Sequence, residues 1–174
     1  LGLNTAVSYG EQLGLKYNSE SKSSIASIAL GEFNNNPKDL DGGNTFVLAN
    51  AFGTFGNNGL YTEPVLYSKV VDANGKTILE NKSPTHKEVF SPQTAYIMYD
   101  VLKGPISYNA SAAKWGDMPV AGKTGTTTSS TNLWFSGLTP YLSASVWIGY
   151  DNPTTLYGSS SGCAALWGKL MQKA

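Results

Sequence analysis

The sequence predicts an α+β domain in which an antiparallel β-sheet packs against helices. Three observations support that fold class. Apolar residues recur at helical spacing in the first half of the chain, the period changes to two after Lys123, and helical spacing returns in the tail. Runs of helix and runs of strand segregated in this way point to helices gathered on an antiparallel sheet. The chain has 174 residues, which suits one unit over 1–174, since domains commonly run to roughly 100–200 residues.

The elements follow in order. "NTAVSYGEQL", residues 4–13, reads as a short helix capped at Asn4 or Thr5 and ended by Gly14. "KYNSESKSS" reads as a polar loop. In "NTFVLANAFGTFGNNG", Leu48, Ala51, Phe52 and Phe55 fall on one helical face, with Asn44 or Thr45 as cap and Asn57-Asn58-Gly59 as stop. Core packing is the simplest use of those aromatics. "EPVLYSKVVDANGKTILE" alternates and carries Asn74-Gly75, a pair suited to positive φ, so a hairpin is expected.

Ser91-Pro92 opens the next helix, with proline in the first turn where its missing N–H costs little. Ala95, Met98, Tyr99 and Leu102 share a face there, and Gly104 closes it. "NLWFSGL" and "YLSASVWIGY" then form an antiparallel pair across the turn Thr139-Pro140-Tyr141. Leu142, Ala144, Val146 and Ile148 lie on one side of the second strand. The tail returns to helical spacing through Cys163, Leu166, Trp167 and Leu170.

Composition removes several function classes. Twelve basic residues balance twelve acidic ones, so no cationic excess exists to neutralise phosphates, and nucleic acid is not an expected partner. No apolar run approaches the ~18 residues of a membrane span. One cysteine, Cys163, and one histidine, His86, give neither an internal disulfide nor a metal-ligand cluster. No metal and no cofactor are therefore expected. Cys163 reads as a small buried hydrophobe and His86 as a solvated loop residue; Trp134 and Trp147 are candidates to line a substrate groove, with alternation favouring cross-strand or core packing for at least one of them.

The chemistry concentrates in "VAGKTGTTTSSTNLWFSG", Val120 to Gly137. A lysine between glycines and hydroxyls suits an anion site of one of two kinds. A phosphate loop requires G-x-x-x-x-G-K-[ST] opening a helix. Here five residues, including Pro119, separate Gly116 from Gly122. The Thr/Ser run that follows is a poor helix start, because those side chains compete for backbone hydrogen bonds. The alternative is a sheet edge along which a peptide lies. Lys123 supplies a compact cation, Thr124 and Thr126 supply hydroxyls for a carboxylate, and Gly125 keeps the approach clear.

"AGKTGTT" followed by "LWFSGLTPYLSASVWIGYDNP" resembles the transpeptidase domain of class A penicillin-binding proteins, a superfamily marked by K-T-G with S-x-x-K. Upstream, "IALGEFNNNP" and "LANAFGTFGNNGLYTEPVLYSKVVDANGK" resemble that family's segment between its second and third motifs, so the similarity covers nearly the whole chain. The resemblance implies the fold shared by penicillin-binding proteins and serine β-lactamases, here incomplete, as the C-terminal part of one transpeptidase domain. It implies D,D-transpeptidation of peptidoglycan. A serine attacks the carbonyl between two terminal D-alanines, releases the last, and passes the acyl group to an amine of a neighbouring stem peptide.

The same resemblance assigns roles. Lys123 provides positive potential at the carboxylate end, Thr124 and Thr126 bind that carboxylate across Gly125, and the Thr126 N–H forms half of an oxyanion hole. Asn4 occupies the asparagine of the S-x-N motif, with Gly2 where the serine is expected. The S-x-x-K nucleophile is expected in a segment outside this chain. Ser19-x-x-Lys22 and Ser111-x-x-Lys114 are read as chance matches. Asn132 stands where many relatives carry an acid, and the stretch at 104–108 is shorter than expected.

The implied partners are peptidoglycan stem peptides, β-lactam antibiotics, the remaining segment of the same domain, and an upstream glycosyltransferase domain with a membrane anchor. The implied place of work is the extracytoplasmic face of a bacterial membrane. Two other readings share these motifs: a serine β-lactamase, which hydrolyses its acyl-enzyme quickly, and a non-catalytic wall-peptide sensor.

Overall fold

Period-two alternation from residue 121 onward produces the sheet that organises the molecule. A computed structural model describes residues 2–33, 38–82 and 84–174. Asn34 to Pro37 of the "IALGEFNNNP" segment, the opening Leu1, and Ser83 beside His86 lie outside the described residues. Strands β5 (Ala121–Thr126), β6 (Asn132–Leu138) and β7 (Ser143–Gly149) form an antiparallel sheet in the order β5-β6-β7. The register pairs Thr124 with Phe135 and Phe135 with Val146. The expected hairpin turn is present: Thr139 N donates to Leu142 O at 2.8 Å, while the Thr139 hydroxyl accepts from Tyr141 N and Leu142 N.

Alternation gives the sheet two distinct faces. Leu133, Phe135 and Val146 point to one face, where α6 (Ser160–Met171) lays down Cys163, Ala164 and Trp167. Phe135 and Trp167 are fully buried and meet edge-on at 5.3 Å. The Trp167 indole N–H donates to Ala144 O at 3.0 Å, so the ring buries its apolar body without stranding its donor. The buried stripe of α6 is Cys163, Ala164, Trp167 and Gly168. Leu166 and Leu170, expected on that stripe, are 44% and 54% exposed.

On the opposite face lies α4 (Thr45–Gly56), close to Leu138 and Ser143. Its cap is Asn44, whose side chain accepts from Val47 N at 3.0 Å. Asn58 and Gly59 stop it in left-handed backbone, at φ 54° and 82°. An aromatic column joins it to α1 (Leu3–Gln12): Phe55 stacks on Phe90 at 5.4 Å, and Phe90 on Tyr9 at 5.2 Å.

Elsewhere the structure departs from the sequence expectations. α1 begins at Leu3 with Gly2 as cap, so neither Asn4 nor Thr5 caps it. The expected polar loop contains α2 (Ser19–Ser23), and α3 (Ile25–Leu30) follows after an extended Ser24. Asn18 and Ser24 cap these two by accepting from Ser21 N and Ser27 N, and the buried Ser21 hydroxyl donates to Asp41 at 2.7 Å. The Asn74-Gly75 hairpin is shorter than its alternation suggested. Only β2 (Lys69–Val71) and β3 (Thr77–Glu80) pair, and Gly75 alone takes positive φ.

β1 (Leu60–Thr62) pairs with β4 (His86–Glu88), which puts His86 in a strand with its Nδ1 2.9 Å from the Thr62 hydroxyl. α5 (Pro92–Leu102) starts under the Ser91 cap as expected. Of its expected apolar face only Ala95 is fully buried, and Met98 is 38% exposed. After it, two 3-10 turns, Pro105–Ser107 and Ser111–Ala113, carry Ile106, Ala110 and Ala113 into the core against Trp167.

Cys163 is buried as expected, and burial pushes its thiol pKa up. The thiolate is the reactive form, so Cys163 should label slowly in the folded protein. Phe135→Ala removes a fully buried ring, a change that typically costs about 3–5 kcal/mol. Mass-spectrometric mapping of alkylation should therefore show Cys163 protected in the unmutated protein and labelled faster in Phe135→Ala. Fast native labelling would contradict this packing.

Candidate active site

β5 is the strand on which the candidate chemistry sits, and its hydrogen-bond register decides what it offers. In an antiparallel pair, residues alternate between those that exchange hydrogen bonds with the partner strand and those that do not. Thr127 N donates to Asn132 O at 3.2 Å, just past the end of the ladder. Counting back in the register, Gly125, Lys123 and Ala121 bond to β6. The N–H and C=O groups of Thr126, Thr124 and Gly122 therefore point away from β6, toward the outer edge of the sheet. Among the described residues, no further strand lies on that edge.

One contact tests this count independently. The Lys123 ammonium donates to the backbone oxygen of Thr124 at 2.7 Å, as it can only if that carbonyl faces outward. Lys123 is exposed, and it belongs to the sheet face that carries Trp134 and Ser136. Its chain folds over the strand so that the cation sits at the edge. An ammonium has three donors, so two remain for a ligand.

The two glycines have separate explanations. A Cβ on Gly122 would lie 2.6 Å from the Phe135 ring and 2.7 Å from Ser136 O, so bare backbone is needed to seat β5 on β6. A Cβ on Gly125 would meet Trp134 Cβ at 3.3 Å, against the sheet face rather than along the edge. Gly125 thus keeps the strand close to Trp134, which itself packs across the sheet on Trp147 at 6.2 Å.

The four threonines from 124 to 128 divide among different tasks. Thr126 is exposed at the edge. Thr124 is 6% exposed, and its hydroxyl accepts from Asn109 Nδ2 at 3.0 Å. Thr127 builds the β5–β6 turn, its hydroxyl accepting from Thr131 N and Asn132 N at 3.0 and 3.1 Å. Thr128 is held by Glu32, whose carboxylate accepts from the Thr128 hydroxyl at 2.9 Å and its N–H at 3.3 Å. Sequence reasoning missed both Asn109 and Glu32. They lie 15 and 96 residues away from their partners, and no local pattern marks them.

Asn132 is satisfied without any cation. Its Oδ1 accepts from the Trp147 indole at 2.8 Å, and its Nδ2 donates to the Thr131 hydroxyl at 3.2 Å. Asn4 lies exposed in the first turn of α1, and its side chain makes no hydrogen bond among the described residues. Among the described residues no hydrogen bond joins it to Lys123, whose ammonium bonds to Thr124 O. Ser19 heads the short helix α2, with Lys22 drawn to Glu11 at 2.7 Å. Ser111 heads a 3-10 turn. No group of three or more His, Cys, Asp or Glu side chains placed to hold a metal occurs among the described residues.

The model of the penicillin-binding protein transpeptidase domain matches residues 5–171. The chain belongs to this family. Penicillin-binding protein 1A of Clostridium acetobutylicum is 55% identical over 176 residues, which take in 100% of this chain and 21% of that protein. The chain thus spans about a fifth of the length of that relative. The D,D-transpeptidase domain of a peptidoglycan glycosyltransferase from Eggerthella lenta superposes with a TM-score of 0.72 at 22% identity, covering 99% of this chain and 48% of that one. Penicillin-binding protein A from M. tuberculosis, solved as a penicillin G acyl-enzyme complex, gives a TM-score of 0.61 at 18% identity, over 95% of this chain and 41% of that one. At such identities these two likenesses establish the fold, the helices-on-antiparallel-sheet architecture seen here.

Within the transpeptidase fold, Gly122 is the position where the K-T-G strand is most constrained. Overpacking a close-packed site typically costs about 1–3 kcal/mol. Gly122→Ala should lower the midpoint of urea unfolding by an amount in that range. Gly125→Ala, with a looser 3.3 Å contact, should cost less. Equal costs at the two positions would contradict the packing described.

Proposed function

We propose that this chain is part of a serine D,D-transpeptidase that cross-links peptidoglycan, and that the outer edge of β5 receives a stem peptide ending in D-Ala-D-Ala. One observation supports the reading above all: the outward backbone groups of Thr124 and Thr126, with the Lys123 ammonium drawn onto the Thr124 carbonyl. A peptide lying antiparallel along such an edge gains main-chain hydrogen bonds, as in other cases of strand addition. Its terminal carboxylate meets a cation and hydroxyls at the same place.

The proposed roles rest on the family resemblance, and that geometry supports them. Lys123 offers its two spare donors and its charge to the substrate carboxylate. Thr124 and Thr126 offer hydroxyls on either side of Gly125. The Thr126 N–H, directed outward, polarises the scissile carbonyl and stabilises the oxyanion of the tetrahedral intermediate, where loss of one donor typically costs about 10²–10³ in rate. The attacking serine comes from a segment outside this chain. Asn4 is assigned the asparagine of the S-x-N motif on the strength of sequence resemblance.

β-Lactams carry a carboxylate and a strained amide at the spacing of the D-Ala-D-Ala end, so they should acylate the same serine. The penicillin G acyl-enzyme of the M. tuberculosis neighbour supports this. Stem peptides and β-lactams are the proposed ligands, and the outer face of a bacterial membrane is the proposed place of work. No helix among the described residues is long and apolar enough to cross a membrane. Because the chain spans about a fifth of the length of the penicillin-binding protein 1A relative, an anchor and a glycosyltransferase domain are proposed for other parts of the full-length protein.

The test is to incubate the full-length protein with a fluorescent penicillin and follow the label over hours. Stable labelling is expected. Rapid loss of label would favour a β-lactamase, and no labelling would favour a sensor. Lys123→Ala should slow acylation by about 10- to 100-fold, the effect of losing a hydrogen bond to a charged group, while circular dichroism stays unchanged. An unaltered acylation rate would contradict the role given to Lys123.

A further inference from the structure

We propose that Asn109 is a positioning residue: it fixes the polarity of the Thr124 hydroxyl, so that the hydroxyl hydrogen is presented to the ligand anion at the β5 edge. The proposal rests on the acyl-transfer reading above. A threonine hydroxyl has one hydrogen and two lone pairs. Asn109 Nδ2 lies 3.0 Å from Thr124 Oγ1 and donates to it. The hydroxyl is an acceptor in this contact, which leaves its own hydrogen for a different partner. Among the described residues it has none.

The surroundings make that arrangement specific. Thr124 is 6% exposed, so bulk water does not readily scramble the hydroxyl. Asn109 sits between the two 3-10 turns, in a segment pinned by Ile106 at 2% exposure and by Ala110 and Ala113 at 0%. The amide is thus held on a rigid mount, the condition for preorganising a donor. At the same residue, the Lys123 ammonium occupies the Thr124 carbonyl at 2.7 Å. The carbonyl is the one strong acceptor of Thr124 facing outward, and the cation covers it. What Thr124 then presents to an incoming carboxylate is a hydroxyl donor beside a cation.

An aspartate at 109 would reverse the effect. A carboxylate accepts only, so it would draw the Thr124 hydrogen inward and add a repelling charge.

The experiment measures second-order acylation rates of the full-length protein with benzylpenicillin and with its methyl ester, which lacks the anion. Asn109→Ala should slow benzylpenicillin about three- to tenfold, the scale of one hydrogen bond, and slow the ester much less. Asn109→Asp should slow benzylpenicillin further. In a Thr124→Val background, Asn109→Ala should have no added effect, because the two residues act through one contact.

Equal slowing of acid and ester, or full additivity with Thr124→Val, would overturn the proposal in favour of a purely structural role. Asn109→Asp is nearly isosteric, so the test survives if the alanine variant does not fold. Absence of labelling in the unmutated protein would overturn the acyl-transfer reading itself, and the proposal with it.

Discussion

An unpaired strand edge is costly to leave open, because its N–H and C=O groups have no protein partners and invite pairing with any extended chain. β5 keeps such an edge at Thr124 and Thr126. Much of the surrounding structure can be understood as holding that edge straight while limiting what it accepts. Gly122 lets the strand seat on Phe135 and Ser136, and Phe135 in turn is locked by Trp167 of α6. The β5–β6 turn is closed by the Thr127 hydroxyl and anchored from outside by Glu32. The Lys123 cation lies across one edge carbonyl and biases the site toward anions. This is selectivity by charge at one end and by main-chain geometry along the rest.

The neutral composition fits that design. With acidic and basic residues in equal number, no broad field steers ligands to the surface, and binding must come from local contacts. A single ammonium with spare donors can do this only where solvent is partly excluded and the partner is held at short range, since exposed ion pairs contribute about 0–1 kcal/mol. Pairing along the edge supplies the short range. The cation and the strand edge are therefore one device, and neither is selective without the other.

Much of this was legible in the sequence, and the limits have physical causes. Asn44 and the Asn57-Asn58-Gly59 stop marked α4, because caps and left-handed stops are local chemistry. β7 was legible from its alternation of Leu142, Ala144, Val146 and Ile148 with polar neighbours, and β6 from its run of apolar and aromatic residues, which as the central strand is buried on both faces. α2 and α3 were not, because helices of five and six residues are too short to show a period and are held instead by Asn18, Ser24 and Asp41. The β1–β4 pair was hidden because three-residue strands carry too little pattern. At the site, the K-T-G motif and its flanks led to the strand and the family. The partner of Thr124 could not be read, because Asn109 reaches it only through the 3-10 turns packed against α6.

Residue-resolved amide hydrogen exchange on the full-length protein, with and without a peptide ending in D-Ala-D-Ala, reads the state of the β5 edge itself. The Thr126 amide should exchange quickly in the free protein and slow when the peptide binds. Lys123 and Gly125, already bonded to β6, should be slow in both states. A Thr126 amide protected without peptide, or unchanged when peptide binds, would contradict the claim that β5 holds an open edge for a peptide substrate.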